Sequence, residues 1–184
     1  MNMLTRKKVI SLLVTFVVVV ITVQLKKIEK FETLPTQGAA VDTATSSIRV
    51  MRIIDGDTFE AMVDGQVEKI RMLGIDTPES VDPRRPVQCF AKEATKKLHE
   101  LIFDREIILT PDFSNDDRDK YNRLLRYVSR PDGLLVNEEM IKGGYAYAYI
   151  KFPFERREHY LKLQTAARSM GAGLWATTTC SGRR

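Results

Sequence analysis

The chain has 184 residues, 43% hydrophobic and 29% charged, which suits one globular domain with a core of its own plus a non-globular N-terminus, and excludes a scaffold that needs dense disulfides to fold. The net charge of +5 is unevenly placed: six Lys/Arg against three Asp/Glu precede residue 48, and 23 against 21 follow. The globular part is therefore not a polycation, and any affinity for polyanions must come from where its charges sit.

Arg6, Lys7 and Lys8 precede an apolar run from Val9 to Leu25, interrupted only by Ser11, Thr15, Thr22 and Gln24. As a helix, residues 9–25 would span about 25 Å, the short end of what crosses a bilayer. A charged start before an apolar run also marks a cleaved secretory signal, but Gln24-Leu25-Lys26-Lys27 offers no small-x-small cleavage site. The segment reads as an uncleaved transmembrane signal anchor with residues 1–8 as its basic flank. Lys26, Lys27 and Lys30 balance that flank, so charge alone does not orient the segment. The export reading places the following domain outside the cytoplasm, membrane-anchored; secretion after cleavage is the alternative. Residues 26–47, small and polar in their second half, read as a linker.

From Arg49 the texture changes. Val50, Ile53 and Ile54 lead into Asp55-Gly56-Asp57, and Phe59 to Val63 alternates. Asp64-Gly65 is a hairpin signal, followed by Val67, Ile70, Met72 and Leu73. This predicts a three-strand meander, with two more strands at Ile107–Leu109 and Leu124–Val128. An apolar stripe at Phe90, Ala94, Leu98 and Leu101/Ile102 predicts a first helix. Val136, Met140 and Ile141, ended by Gly143-Gly144, predict a second. Leu163, Ala167, Met170 and Leu174, with Gly171 and Gly173 near the end, predict a third. Five short strands and three helices make an α+β domain over residues 48–178 and suggest a small Greek-key barrel, of which the OB-fold is the common five-stranded form; residues 179–184 are left as a C-terminal tail.

Cys89 and Cys180 are an even pair, too few for a zinc site and without useful histidine spacing. In an exported chain they suit a disulfide, worth up to about 4–5 kcal/mol in the chain-entropy model. Two unrelated thiols are the other reading.

The polar residues that could carry chemistry are Asp55-Gly56-Asp57-Thr58, Arg71, Asp76-Thr77-Pro78-Glu79 and Asp119-Lys120-Tyr121-Asn122-Arg123. Taken singly, these are a turn, a loop or helix cap, and a solvated charge run. Taken together they supply what phosphodiester hydrolysis needs: carboxylates and a carbonyl for a hard dication, another carboxylate to activate water, and arginines for developing oxyanion charge.

IDGDTFEAMVDGQVEKIRMLGIDTPES, followed by DKYNRLLRYV and VNEEMIKGGYAYAYIK, closely resembles the staphylococcal nuclease (thermonuclease) family, from about Ile48 to Trp175. The resemblance implies the OB barrel and a Ca²⁺-dependent endonuclease acting on DNA and RNA, with single-stranded substrate preferred and 3′-phosphate products. It places the calcium carboxylates at Asp57 and Asp76, with a main-chain carbonyl at Thr77 and a further carboxylate nearby at Asp55. Glu79 falls at the proposed general base, and Arg71 and Arg123 at the two catalytic arginines. Lys120 and Tyr121 match nucleotide-phosphate contacts. Tyr149, with Tyr147 next, is the choice for base stacking. Asn122 stands where the family has glycine, and Ala91-Lys92 where it has Gly-Pro. Asparagine tolerates a left-handed backbone, so the turn before Arg123 should survive. Pro83-Arg84-Arg85 falls on the family's flexible basic loop.

Asp112-x-Ser114-x-Asp116 is only faintly like an EF-hand, since Asp117 replaces the needed glycine and Arg123 the bidentate Glu. His99 and His159 read as helix-surface residues. The reading from another class is a non-catalytic OB-fold nucleic-acid-binding module, which the intact acidic and arginine positions oppose. No obligate protein partner is expected; the membrane contact is residues 9–25.

Overall fold

A computed structural model describes residues 48–84 and 86–183. The expected anchor over 9–25, its flank and the linker lie outside the described residues. Among the described residues, no helix is long and apolar enough to cross a membrane.

The meander is present as β1 (Arg49–Ile53), β2 (Thr58–Val63) and β3 (Gln66–Met72). Asp64 and Gly65 both take positive φ, 50° and 78°, as a two-residue hairpin turn between right-twisted strands requires. The turn sets the β2–β3 register, which runs from Val63 opposite Gln66 to Thr58 opposite Arg71. After the meander the chain adds β4 (Ile75–Asp76), β5 (Ile108–Thr110), β6 (Leu124–Ser129) and β7 (Tyr147–Ala148). The main sheet runs β1-β2-β3-β6-β5, with β6 parallel to β3 and antiparallel to β5. An antiparallel bridge between Ile48 and Ile107 brings the two edge strands together. Among the described residues β4 and β7 form a separate antiparallel pair, with Asp76 opposite Tyr147.

Three helices cover the sheet: α1 (Ala91–Ile102), α2 (Val136–Lys142) and α3 (Arg157–Ser169). The first buries Ala91, Ala94, Leu98, Leu101 and Ile102, one helical face. Phe90 precedes the helix rather than joining its stripe. The third helix departs from the stripe read in the sequence. It buries Tyr160 and Ala167 and stops at Ser169. Met170 is 71% exposed, and Leu174 is buried from a separate 3-10 turn, Gly173–Trp175. Gly171 and Gly173 cause the break by taking positive φ. Gly173 also lies against Gly144, where a Cβ on Gly144 would sit 2.0 Å from the Ala172 carbonyl oxygen.

Phe59, Ile70, Met72, Ile75, Leu98, Ile102, Met140 and Ile141 are fully buried in one core between sheet and helices. Buried Asn137 of α2 joins β6 and the turn after β3 to it. Its Oδ1 accepts from the Val128 N–H at 2.8 Å and its Nδ2 donates to the Leu73 carbonyl at 2.9 Å. A smaller cluster of Tyr147, Leu174 and Cys180, flanked by Phe90 and Trp175, anchors the end of the chain. Residues 179–183 therefore pack onto the domain, and Cys180 is joined to Cys89 across 91 residues of sequence.

Replacing both cysteines by alanine releases that loop in the unfolded chain, and should lower the unfolding free energy by about 2–5 kcal/mol. Equilibrium urea unfolding measures it; an unchanged midpoint would contradict the cross-link's contribution.

Candidate active site

The site is organised around Asp57, which is 5% exposed at the start of β2. Its Oδ1 accepts from the Thr58 hydroxyl at 3.0 Å and lies 3.1 Å from Arg71 Nη1. Its Oδ2 accepts from both the Thr77 N–H at 2.8 Å and the Thr77 hydroxyl at 3.0 Å. A buried carboxylate is tolerable only with such partners. The Thr58–Arg71 register places the arginine beside it. Arg71 also donates from Nη1 to the Met72 carbonyl at 3.0 Å and from Nη2 to Asp76 Oδ1 at 3.2 Å. Its guanidinium fork thus spans Asp57 and Asp76, the latter held in place by the β4–β7 pair. Close approach between the Asp57 turn and α1 needs Gly56, where a Cβ would lie 2.8 Å from both Ala94 Cβ and Thr77 Cγ2.

Asp55 accepts the Asp57 N–H at 2.9 Å. Burial, and then the charge of Asp57, push its carboxyl up to about 7. Three carboxylates therefore gather near one guanidinium, an excess of negative charge built from hard oxygens that suits a hard dication. Among the described residues, no group of three His, Cys, Asp or Glu side chains is spaced to hold a metal by itself. A dication here would need main-chain oxygen and water as well as carboxylate, and the Thr77 main chain bonds Asp57 and directly follows Asp76.

Arg123 reaches the same place from the turn before β6. Its Nε donates to Asp119 Oδ2 at 2.7 Å and its N–H to Asp119 Oδ1 at 3.0 Å. Burial raises the Asp119 carboxyl, but the Arg123 hydrogen bonds outweigh it and hold the group below the usual range. So tethered, Arg123 extends Nη1 to the Thr58 hydroxyl at 3.5 Å. Asn122 sits at φ 63°, so the left-handed turn is made with asparagine. Arg123 and Lys120 both lie over the Tyr121 ring, 5.4 and 4.9 Å from its centroid. That ring is 68% exposed.

Glu79 begins the exposed loop that leads to α1. Its Oε1 accepts from the N–H groups of Val81 at 2.8 Å and Asp82 at 3.1 Å. Tyr149 is half-buried, tied to the site through its N–H to the Gly74 carbonyl at 2.8 Å, and its ring lies 6.1 Å from that of Phe152. Tyr147 is a correction to the sequence reading. It is 8% exposed, packs edge-on against Trp175 at 5.2 Å and donates its hydroxyl to the Gly182 carbonyl at 3.4 Å. The folded C-terminal residues cover the ring, so it offers no stacking platform. Thr58 and Asp119, to which the family resemblance gives no role, connect and hold the two arginines. Of the two, only Asp119, four residues before Arg123, has a signal visible in the sequence.

A family model described as staphylococcal nuclease homologue matches residues 69–177. The chain is similar to a thermonuclease of Staphylococcus hyicus, 30% identical over 172 residues that cover 92% of this chain and 99% of that protein. It is also similar to a thermonuclease of Staphylococcus intermedius, 36% identical over 114 residues, 62% of this chain and 66% of the relative. Endonuclease YncB of Bacillus subtilis strain 168 is 35% identical over 132 residues, 71% of this chain and 62% of its own length.

Gly56→Ala forces Thr77 away from α1 and should cost about 1–3 kcal/mol of stability. Thermal unfolding checks this; an unchanged midpoint would mean that the contact yields without strain.

Proposed function

The chain belongs to the staphylococcal nuclease family and is a nuclease; from that premise we propose a Ca²⁺-dependent endonuclease that hydrolyses both DNA and RNA and leaves 3′-phosphate ends. One observation carries the reading. Arg71 and Arg123, 52 positions apart, are linked through Asp57 and Thr58 into one array: an ion pair from Arg71 to Asp57, and hydrogen bonds from Thr58 to Asp57 and from Arg123 to Thr58. Two permanently charged guanidinium groups beside a cluster of carboxylates are what a phosphodiester in transit to a five-coordinate state requires. The strand order and the Ile48–Ile107 bridge support an OB-type barrel as the platform.

Asp57 and Asp76 would hold the Ca²⁺ with the Thr77 carbonyl. Bound there, the ion supplies positive charge to the phosphoryl oxygens. The chain's own groups do the rest. Arg71 and Arg123 each turn N–H donors toward the phosphate and stabilise charge as it builds on the non-bridging and leaving 5′ oxygens. Glu79 orients and deprotonates the water opposite that 5′ oxygen, its carboxylate direction set by the Val81 and Asp82 amides. Lys120 and the exposed Tyr121 contact a neighbouring phosphate, and Tyr149 stacks a base. Stacking needs a base out of the duplex, which favours single-stranded substrate. Asp55 supports Asp57 from behind the ligands. We place the domain outside the cytoplasm, anchored through residues 9–25; the Cys89–Cys180 bond suits an oxidising compartment.

The test is cleavage of single-stranded DNA and of RNA by the purified protein with Ca²⁺ or with chelator. Cleavage of both polymers that chelation abolishes supports the reading. Binding without cleavage under any divalent ion would make this a binding module instead. Within that assay, Arg71→Ala or Arg123→Ala should each lower kcat by about 100- to 1,000-fold, while Tyr149→Ala should chiefly raise KM. Small, equal losses at the two arginines would contradict their roles.

A further inference from the structure

We propose that Gln88 is a positioning residue for Glu79, locked in place by the Cys89–Cys180 disulfide; the inference rests on the role given to Glu79 above. One residue satisfies both main-chain polar groups of Glu79. The Glu79 N–H donates to Gln88 Oε1 at 2.7 Å, and the Glu79 carbonyl accepts from the Gln88 N–H at 2.9 Å. This clasp closes the loop at its base. Packing cannot do so, because Val81 and Val87 are each 52% exposed and Pro83, Arg84 and Pro86 are exposed as well. The Glu79 carboxylate is spent on amides inside the same loop, so its direction is only as firm as the clasp beneath it.

Gln88 is in turn held from the far side. Its carbonyl accepts the Ala91 N–H at 3.2 Å, at the start of α1. Cys89 is bonded to Cys180, which is 3% exposed in the cluster with Tyr147 and Leu174. Phe90 packs against that cluster and stacks on Tyr145 at 5.5 Å. It does so at φ 69°, a region that bulky residues avoid, so the 88–91 turn persists because its surroundings over-determine it. Tyr147 also pairs with Asp76 across β4 and β7. The same buried cluster therefore tethers Asp76 through one strand pair and Glu79, three residues on, through Gln88 and the disulfide.

The experiment compares kcat, KM and thermal midpoint for the full chain, Gln88→Ala, Gln88→Glu, Glu79→Ser and the Gln88→Ala/Glu79→Ser double variant. Gln88→Ala should lower kcat by about tenfold or more through misplacement, with KM within about twofold and an unchanged midpoint. Gln88→Glu, which keeps an acceptor for the Glu79 N–H, should recover most of the loss. In the Glu79→Ser background, removing Gln88 should cost nothing further, because both act through one carboxylate. Full kcat in Gln88→Ala, or the same fractional loss in both backgrounds, overturns the proposal while leaving Glu79's role intact. An active Glu79→Ser protein instead overturns that role and the inference with it. The Cys89→Ala/Cys180→Ala protein, assayed well below its unfolding midpoint, should share the kcat loss; an unchanged kcat removes the disulfide from the account.

Discussion

The site depends on the Asp57 carboxylate being buried and bonded at both oxygens. Taking a carboxylate out of water costs several kcal/mol unless its oxygens regain comparable partners. Here three hydrogen-bond donors and one ion pair, from three segments, provide them: the Thr58 hydroxyl from β2, the N–H and hydroxyl of Thr77 after β4, and the Arg71 guanidinium from β3. The group that needs rescue thus dictates where those three segments meet. The meander register then delivers the rest, because pairing Thr58 with Arg71 brings a hydroxyl and a guanidinium to the same carboxylate oxygen, Oδ1.

Arg123 joins from farther along the chain, and its path shows how the sheet contributes. Parallel pairing of β6 with β3 sets Leu125 against Arg71, so the turn just before β6 opens beside the carboxylate group. Asp119 folds that turn back on itself, accepting from the N–H groups of Tyr121 and Arg123 as well as from the guanidinium. The arginine is pre-oriented before any substrate arrives, so less side-chain entropy remains to be lost on binding. Charge balance points the same way. Asp55, Asp57 and Asp76 outnumber Arg71, and burial first, then the charge of Asp57, raises the Asp55 carboxyl. A dication bound as proposed above would offset that negative charge.

Much of this was legible in the sequence where local chemistry and tertiary structure agree. Asp64-Gly65 declared its hairpin, the stripe from Ala94 to Ile102 declared its helix, and Asn122 kept its left-handed turn. What escaped was decided by distant contacts. The β4–β7 pair is two residues long on each side, too short for any alternation to show, yet it holds Asp76. The last helix lost Met170 and Leu174 because two glycines redirect the chain onto Gly144. Tyr147 has the composition of a stacking residue, and only the fold of the tail across it makes it core. Gln88 carries no motif; its importance lies wholly in two hydrogen bonds to a residue nine positions earlier.

The most direct test of the central claim is Asp57→Asn, which keeps the shape of the side chain and removes its charge. Cleavage of single-stranded DNA should be measured with Ca²⁺ beside circular dichroism and Ca²⁺ titration calorimetry. The account predicts a folded protein in which cleavage and Ca²⁺ binding are both lost, because the pairing with Arg71 and the dication site share that carboxylate. A folded variant that still cleaves at the unsubstituted rate would contradict it.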